Sequence, residues 1–347
     1  MAFHSYLTIL IPAILAFVVT VITTLFLMNY MFESGITSVD HNKKSSPTVP
    51  SGCGSAVAFG FVVGLLTYVF GSSFSFYIGY ANLEYIFATV IAVFFISFTG
   101  FIDDINVTRQ LVKTTGMQDT RKGLKQWQKP LFTIVGAIPL MAINAGVSII
   151  RIPFLGAVNF GVLYPLVIIP LAVIFASNAF NLLGGFDGIS TGSGLIASLA
   201  LLAYALIYGS YTGALIAGVL SAALLAFLLF NLYPSKLVPG DAFTYAVGTG
   251  LVSAMILGQM EAFGVIVFMP WIIEFLLHLR KRFDVTDLGK LQSDGTFKAP
   301  YGKKIYGWTH VIMNIKRCKE WEVSLYMWLI CIGFVALAFA MKYLALL

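Results

Sequence analysis

The sequence is short of charge. Asp, Glu, Lys and Arg make up only 10% of its 347 residues, against about 25% in an ordinary soluble domain. So few charges exclude a water-solvated globular protein, and no nucleic-acid partner is expected. Cysteine is scarce too. Cys53, Cys318 and Cys331 show neither paired nor metal-ligand spacing, so neither a disulfide framework nor a zinc site is indicated. Internal repeats and low-complexity tracts are lacking as well.

What the chain has is apolar length. Hydrophobic residues form 59% of it, in runs able to cross a hydrocarbon core of about 30 Å at about 1.5 Å per residue. Ten segments qualify, near Ser5–Phe32, Gly54–Tyr77, Tyr85–Phe101, Pro130–Ile149, Phe160–Leu182, Ile189–Tyr208, Tyr211–Leu232, Ala242–Leu257, Ala262–Leu277 and Val323–Met341. The first lacks a basic leader and is about twice the usual length of a signal-peptide core, so it reads as a retained span. The expected fold class is an all-α polytopic membrane protein, with about ten transmembrane helices in one bundle. Residues 1–347 form a single domain, to whose site the inner loop 278–322 contributes. That loop carries the turn signals Ser293-Asp294-Gly295-Thr296 and Pro300-Tyr301-Gly302, which predict a hairpin or a short helix.

Basic residues near helix ends stay cytoplasmic, which sets the expected orientation. Nineteen of the 21 fall after odd-numbered spans: Lys43 and Lys44; Arg109, Lys113, Arg121, Lys122, Lys125 and Lys129; Lys236; and ten from Arg280 to Lys319. Only Arg151 and Lys342 lie on the other side. Both termini are therefore expected outside the cytoplasm. Of the acidic residues, all but Glu84 and Glu261 sit in or beside the cytoplasmic half, so the active face is expected to be cytoplasmic, in the plasma membrane of a prokaryote or the endoplasmic reticulum.

Each polar constellation on that face has a bland reading. Asp103-Asp104 closes the third span, where mutual repulsion and the helix macrodipole both call for a cationic neighbour; a solvated helix end is the alternative. Lys129-Pro130 opens the fourth span, where a helix N-terminus favours anions, although orientation alone also explains the lysine. Asn178 and Asn181 share one helix face, as a polar site or as helix-to-helix bonding. Gly184-Gly185-Phe186-Asp187-Gly188 holds a carboxylate near membrane depth in a glycine-rich turn, or is a plain turn. Asp241 follows Pro239-Gly240 and fits an N-cap as well as a ligand. Glu274 precedes the cluster His278-Leu279-Arg280-Lys281-Arg282, which reads as a lipid-facing patch or a phosphate site. Jointly, five loops deliver carboxylates, amides and cations to one face. That inventory suits a magnesium-bridged diphosphate, since magnesium takes oxygen ligands and substrate phosphates, and cations stabilise charge in phosphoryl transfer.

Taken in order, these motifs resemble the polyprenyl-phosphate N-acetylhexosamine-1-phosphate transferases. The resemblance spans Asp40-His41-Asn42-Lys43, Gly100-Phe101-Ile102-Asp103-Asp104, Lys129, Ser177-Asn178-Ala179-Phe180-Asn181, Gly185-Phe186-Asp187-Gly188, Asn231-Leu232-Tyr233-Pro234-Ser235 before Gly240-Asp241, and Phe268-Met269-Pro270. The last two look most similar to the archaeal and eukaryotic dolichyl-phosphate GlcNAc-1-phosphate transferases. Gly184, and the lack of a histidine cluster around His278 and His310, disfavour the peptidoglycan branch.

The resemblance implies transfer of GlcNAc-1-phosphate from UDP-GlcNAc to dolichyl or another polyprenyl phosphate, releasing UMP. It implies Mg2+ on Asn181 and Asp241, with Mn2+ as a substitute. It further implies Asp187 near the uracil, Lys129 at the diphosphate, and Lys43, Asn178, Arg280, Lys281 and Arg282 around the substrate. Asp103 and Asp104 form the acidic pair, and Val238 stands where an aromatic often stacks on the base. Transfer from another UDP-N-acetylhexosamine is the enzymatic alternative. A secondary transporter is the rival from another class, but it would need polar groups at mid-depth and an internal repeat. Monomer and homodimer are both left open.

Overall fold

The computed structural model describes residues 3–76, 80–105, 109–111, 118–120, 124, 127–152, 156–344 and 346. The expected span boundary at Tyr77 and the expected inner-loop cations Lys113, Arg121, Lys122 and Lys125 lie outside these residues. In chain order, α1 (Phe3–Glu33) leads to a hairpin of β1 (Thr37–Val39) and β2 (Thr48–Pro50), then α2 (Ser55–Ser73) and α3 (Leu83–Ile105). A second hairpin, β3 (Arg109–Leu111) with β4 (Gln118–Thr120), precedes α4 (Gln128–Thr133), a 3-10 turn at Ile134–Ala137 and α5 (Ile138–Ala142). A third, β5 (Ile149–Ile152) with β6 (Gly156–Asn159), precedes a π-turn at Tyr164–Ile168 that runs into α6 (Ile169–Leu182). The rest are α7 (Ile189–Tyr208), α8 (Tyr211–Asn231), α9 (Asp241–Leu257), α10 (Glu261–Val267), α11 (Met269–Leu279), the hairpin β7 (Lys290–Leu291) with β8 (Phe297–Lys298), α12 (Trp308–Ile315) and α13 (Glu320–Tyr343). All four hairpins are antiparallel.

Among the described residues seven helices are long and apolar enough to cross a membrane, and the α10–α11 pair makes an eighth if counted as one span. The chain is thus an all-α polytopic membrane protein with short hairpins between helices. Two of the ten expected segments differ from that pattern. The stretch expected at Pro130–Ile149 is broken, because Pro139 near the start of α5 lacks the N–H that would continue a single helix. The Ala242–Leu257 stretch is the 17-residue α9, about 26 Å long at 1.5 Å per residue. Its shortness fits its place: every residue of α9 is buried, whereas α1 and α13 turn Ile22, Phe26, Leu329 and Ile332 outward. A helix apolar all round and wrapped by others is a core helix.

The expected ninth span is bent by 58° at Phe268. The motif Phe268-Met269-Pro270 is that bend, since Pro270 removes one helical hydrogen bond and crowds the preceding turn. Beyond it, the inner loop contains both the hairpin and the short helix that its turn signals left as alternatives. The first inner loop folds back as well: Gly52 and Gly54 donate backbone hydrogen bonds to Val238 and Pro239 at 3.1 and 2.8 Å. This docks β2 against the segment leading into α9.

Candidate active site

α3 ends on its acidic pair, and the two carboxylates meet different partners. Asp104 accepts the backbone N–H of Asp241 on Oδ1 at 2.7 Å and that of Ala242 on Oδ2 at 2.9 Å. It therefore caps α9 from another helix, supplying acceptors to orphan donors at a positive helix end. Asp241, the residue whose own side chain fits the N-cap pattern, turns its carboxylate to Lys129. Gly240 makes the arrangement possible. It adopts φ 85°, ψ −179°, a region essentially restricted to glycine, and a Cβ there would lie 2.4 Å from Asp104 Oδ2. Gly100 lets α3 come this close, because its Cβ would stand 2.5 Å from the Ala242 nitrogen.

Asp103 and Asp241 converge on Lys129. The ammonium lies 3.0 Å from Asp103 Oδ2 and is hydrogen-bonded to Asp241 Oδ2. Asp103 also accepts the backbone N–H of Leu124 on Oδ1. All three carboxylates are buried. The cationic neighbours that the acidic pair required are thus Lys129 on α4 and the N-terminus of α9. One turn along α9, the buried Tyr245 hydroxyl lies within electrostatic range of all three carboxylates.

The two amides of α6 separate. Asn178 donates to Thr133 Oγ1 at 3.0 Å and to Ile174 O at 2.8 Å, so its NH2 group ties α6 to α4. The half-buried Asn181 side chain makes no hydrogen bond among the described residues. Its neighbour Phe180 packs on Phe243 of α9 with ring centroids 6.2 Å apart. Asp241 and Asn181, the residues expected to hold magnesium, offer a carboxylate and an amide oxygen, the kind of donor that ion takes. Asp104 fits less well, since both its oxygens already accept backbone hydrogen bonds.

A second junction joins three inner segments. Lys43 Nζ lies 2.6 Å from Asp187 Oδ2 and 3.2 Å from Asp40 Oδ2, and bonds to Glu320 Oε2 at the start of α13. It also stands 4.7 Å from the Tyr233 ring centroid. Burial works against the Lys43 charge, but hydrogen bonds and charge from Asp187 and Glu320 outweigh it and hold the ammonium above its ordinary range. Asp187 Oδ2 also accepts the Ser235 backbone N–H at 2.8 Å, and Ser324 donates to the Asp187 carbonyl at 2.6 Å. Asn42 donates to the Gly185 carbonyl at 2.6 Å. Beside this junction lies a cavity of about 210 Å³ lined by Asp187, Phe186, Asn231, Ser235 and Val238.

The basic run after α11 is held by its own loop. Arg280 donates to the Ile305 carbonyl at 3.2 Å and faces the Tyr306 ring, Lys281 Nζ stands 4.1 Å from the Tyr301 centroid, and Arg282 is exposed. The expected site residues thus fall into three groups: Asp103, Asp104, Lys129 and Asp241; Lys43 with Asp187; and Arg280, Lys281 and Arg282. Asn178, bonded to Thr133, and Asn181 on α6 belong to none of them.

The model of glycosyl transferase family 4 matches residues 86–259, half of the chain and all of the first group. The chain belongs to glycosyl transferase family 4. Two archaeal relatives extend the likeness to nearly full length. A Sulfolobus acidocaldarius protein is 35% identical over 337 residues, 96% of each chain, and a Saccharolobus solfataricus protein is 33% identical over 325 residues, 93% of each. Both are provisionally assigned as UDP-N-acetylglucosamine–dolichyl-phosphate N-acetylglucosaminephosphotransferases. A phospho-N-acetylmuramoyl-pentapeptide-transferase of Halalkalibacterium halodurans is 28% identical over 343 residues, 95% of this chain and 96% of its own. Lys43 and residues 280–282 of this family 4 chain lie outside the matched segment but inside the full-length similarity to the archaeal proteins. Sequence reasoning missed Glu320 and Tyr245. The first has a weak signal, an acidic residue opening an apolar span; the second has none, since a tyrosine inside an apolar run reads as core.

Proposed function

We propose that this chain transfers N-acetylglucosamine 1-phosphate from UDP-GlcNAc to dolichyl or another polyprenyl phosphate, releasing UMP, as the first step of lipid-linked oligosaccharide assembly for N-glycosylation. The observation that carries this reading is the similarity over 93% to 96% of the chain to two archaeal proteins assigned that activity. The 28% likeness to the peptidoglycan-type enzyme is weaker.

In the proposed reaction a lipid-phosphate oxygen attacks the β-phosphorus of UDP-GlcNAc in line. The bond from that phosphorus to the bridging oxygen breaks, and the electron pair leaves with UMP. A phosphate monoester is largely deprotonated near neutral pH, so positioning and charge neutralisation do most of the work. Lys129 would exchange its carboxylate partners for the diphosphate and stabilise charge on the departing oxygen. Asp241 and Asn181 would hold Mg2+, or Mn2+ in its place, which supplies charge neutralisation across the two phosphates. Asp103 would keep Lys129 oriented, and Asp104 would fix the start of α9. Asp187, aligned by Lys43, would face the uracil in the adjoining cavity, with Arg280, Lys281 and Arg282 around the sugar and its phosphate. About ten spans, both termini outside and a cytoplasmic active face complete the proposal.

The test is purified protein with magnesium, dolichyl phosphate and a panel of UDP-sugars, scored for UMP and lipid-linked product. UDP-GlcNAc should be preferred. Asp241→Asn should lower turnover by at least about 100-fold, the size of effect seen when one charge-stabilising group is lost, with an unchanged elution profile. An unimpaired rate in that variant removes the central claim, and preference for another sugar removes the substrate.

A further inference from the structure

A third polar cluster adjoins the basic run Arg280–Arg282 but holds none of the residues given a role in the proposed chemistry. Glu274 and His278 lie one helical turn apart on α11, and Asp287 reaches them from the inner loop. Glu274 Oε1, His278 Nε2 and Asp287 Oδ1 all lie within 4.8 Å of one another, and the imidazole nitrogen is 3.3 Å from each carboxylate oxygen. Glu274 is fully buried at 0% exposure, and among the described residues its Oε1 has the His278 ring nitrogen at 3.3 Å but no well-formed hydrogen bond. A single ring nitrogen carries at most one proton, so it serves two carboxylates poorly at that distance. Ligands about 2.1 Å from a tetrahedral zinc ion, by contrast, stand about 3.4 Å apart.

Two more features fit an ion. A Cβ at Gly307 would lie 2.6 Å from Asp287 Oδ1 and 2.8 Å from Glu274 Oε1, so the glycine keeps open a space bordered by both oxygens. Gly307 has φ −169°, a conformation open to any residue, so backbone strain does not account for glycine there. The other Glu274 oxygen accepts the Trp308 backbone N–H at 2.8 Å, the kind of outer contact that orients a ligand. Two carboxylates and a neutral imidazole around a divalent ion also sum to zero charge.

The geometry points to a divalent transition-metal site of the zinc class on Glu274, His278 and Asp287. The imidazole is the donor that favours such ions over magnesium. The ion pins the inner loop to α11 and so fixes the base on which Arg280 and Lys281 stand.

Purified full-length protein, stripped with chelator and kept in excess magnesium to saturate other oxygen sites, is incubated with zinc or cobalt. One zinc per chain is expected by elemental analysis after desalting, together with a raised thermal midpoint and visible absorption of tetrahedral cobalt. Gly307→Ala, His278→Gln and Asp287→Asn should each cut the retained zinc at least tenfold, while Asp241→Asn retains it. Wild-type protein that holds no zinc and gives no cobalt spectrum overturns the site and leaves His278 as a protonated clamp. Equal uptake by wild type and Gly307→Ala overturns it too. The cobalt spectrum needs only the wild-type chain, so a variant that fails to fold does not decide the matter.

Discussion

Lys129 carries two buried carboxylates at once, Asp103 and Asp241. Removing its charge leaves both facing each other without a counter-ion, and breaking a buried pair from one side costs about 3–5 kcal/mol. Lys129→Met should therefore lower the thermal midpoint as well as turnover. Adding Asp103→Asn removes one of the stranded charges, so the double variant should regain most of the stability and none of the activity. Thermal melts of the two single variants and the double variant, beside UMP release, separate charge balance from catalysis. A Lys129→Met protein that melts like wild type would show that the lysine is not holding the carboxylates together.

At the scale of elements, the decisive contact is between the C-terminus of α3 and the N-terminus of α9, made through Asp104 and Gly240. Gly240→Ala should cost at least about 1–3 kcal/mol, because its backbone region admits little but glycine, and the new Cβ would push the Asp104 carboxylate off the helix end. Gly209→Ala is the control. That glycine also has positive φ, at 85°, but nothing lies near its would-be Cβ. It should lose some stability and keep its turnover, whereas Gly240→Ala should lose turnover beyond what its melting explains. Equal activity in the two variants would separate α9 positioning from the chemistry.

This contact also marks how far the sequence could be read. The helix-end repulsion at Asp103-Asp104 forecast a cationic neighbour, and Asp241 stood out beside Pro239-Gly240. Which aspartate caps α9 was not legible, because an N-cap rule looks along the chain and the cap here comes from 137 residues away. The Lys43–Asp187–Glu320 junction was half legible for the same reason: the first two sit in polar motifs, while Glu320 gains its meaning only where α13 meets the first inner loop. The break in the fourth expected segment was hidden because composition averages over the turn at Pro139 and reports only apolarity.

At the scale of the whole molecule, the hairpin β7–β8 and the α9–α10 link are expected on opposite faces of the bilayer, since 19 of 21 basic residues gather on one side. The three native cysteines are all buried, so reporter cysteines can be introduced over a low background. Ser293 in the β7–β8 turn and Gln259 after α9 are both exposed. With a membrane-impermeant maleimide, Ser293→Cys should label only in inside-out vesicles and Gln259→Cys only in right-side-out ones. Labelling of both from one side would break the topology and, with it, the reason for a one-sided site. Opposite labelling would place Asp103, Lys129 and Asp241 at the end of the bundle that a soluble nucleotide-sugar reaches from the cytoplasm. The acceptor phosphate, tethered to its lipid, would approach the same carboxylates from within the membrane.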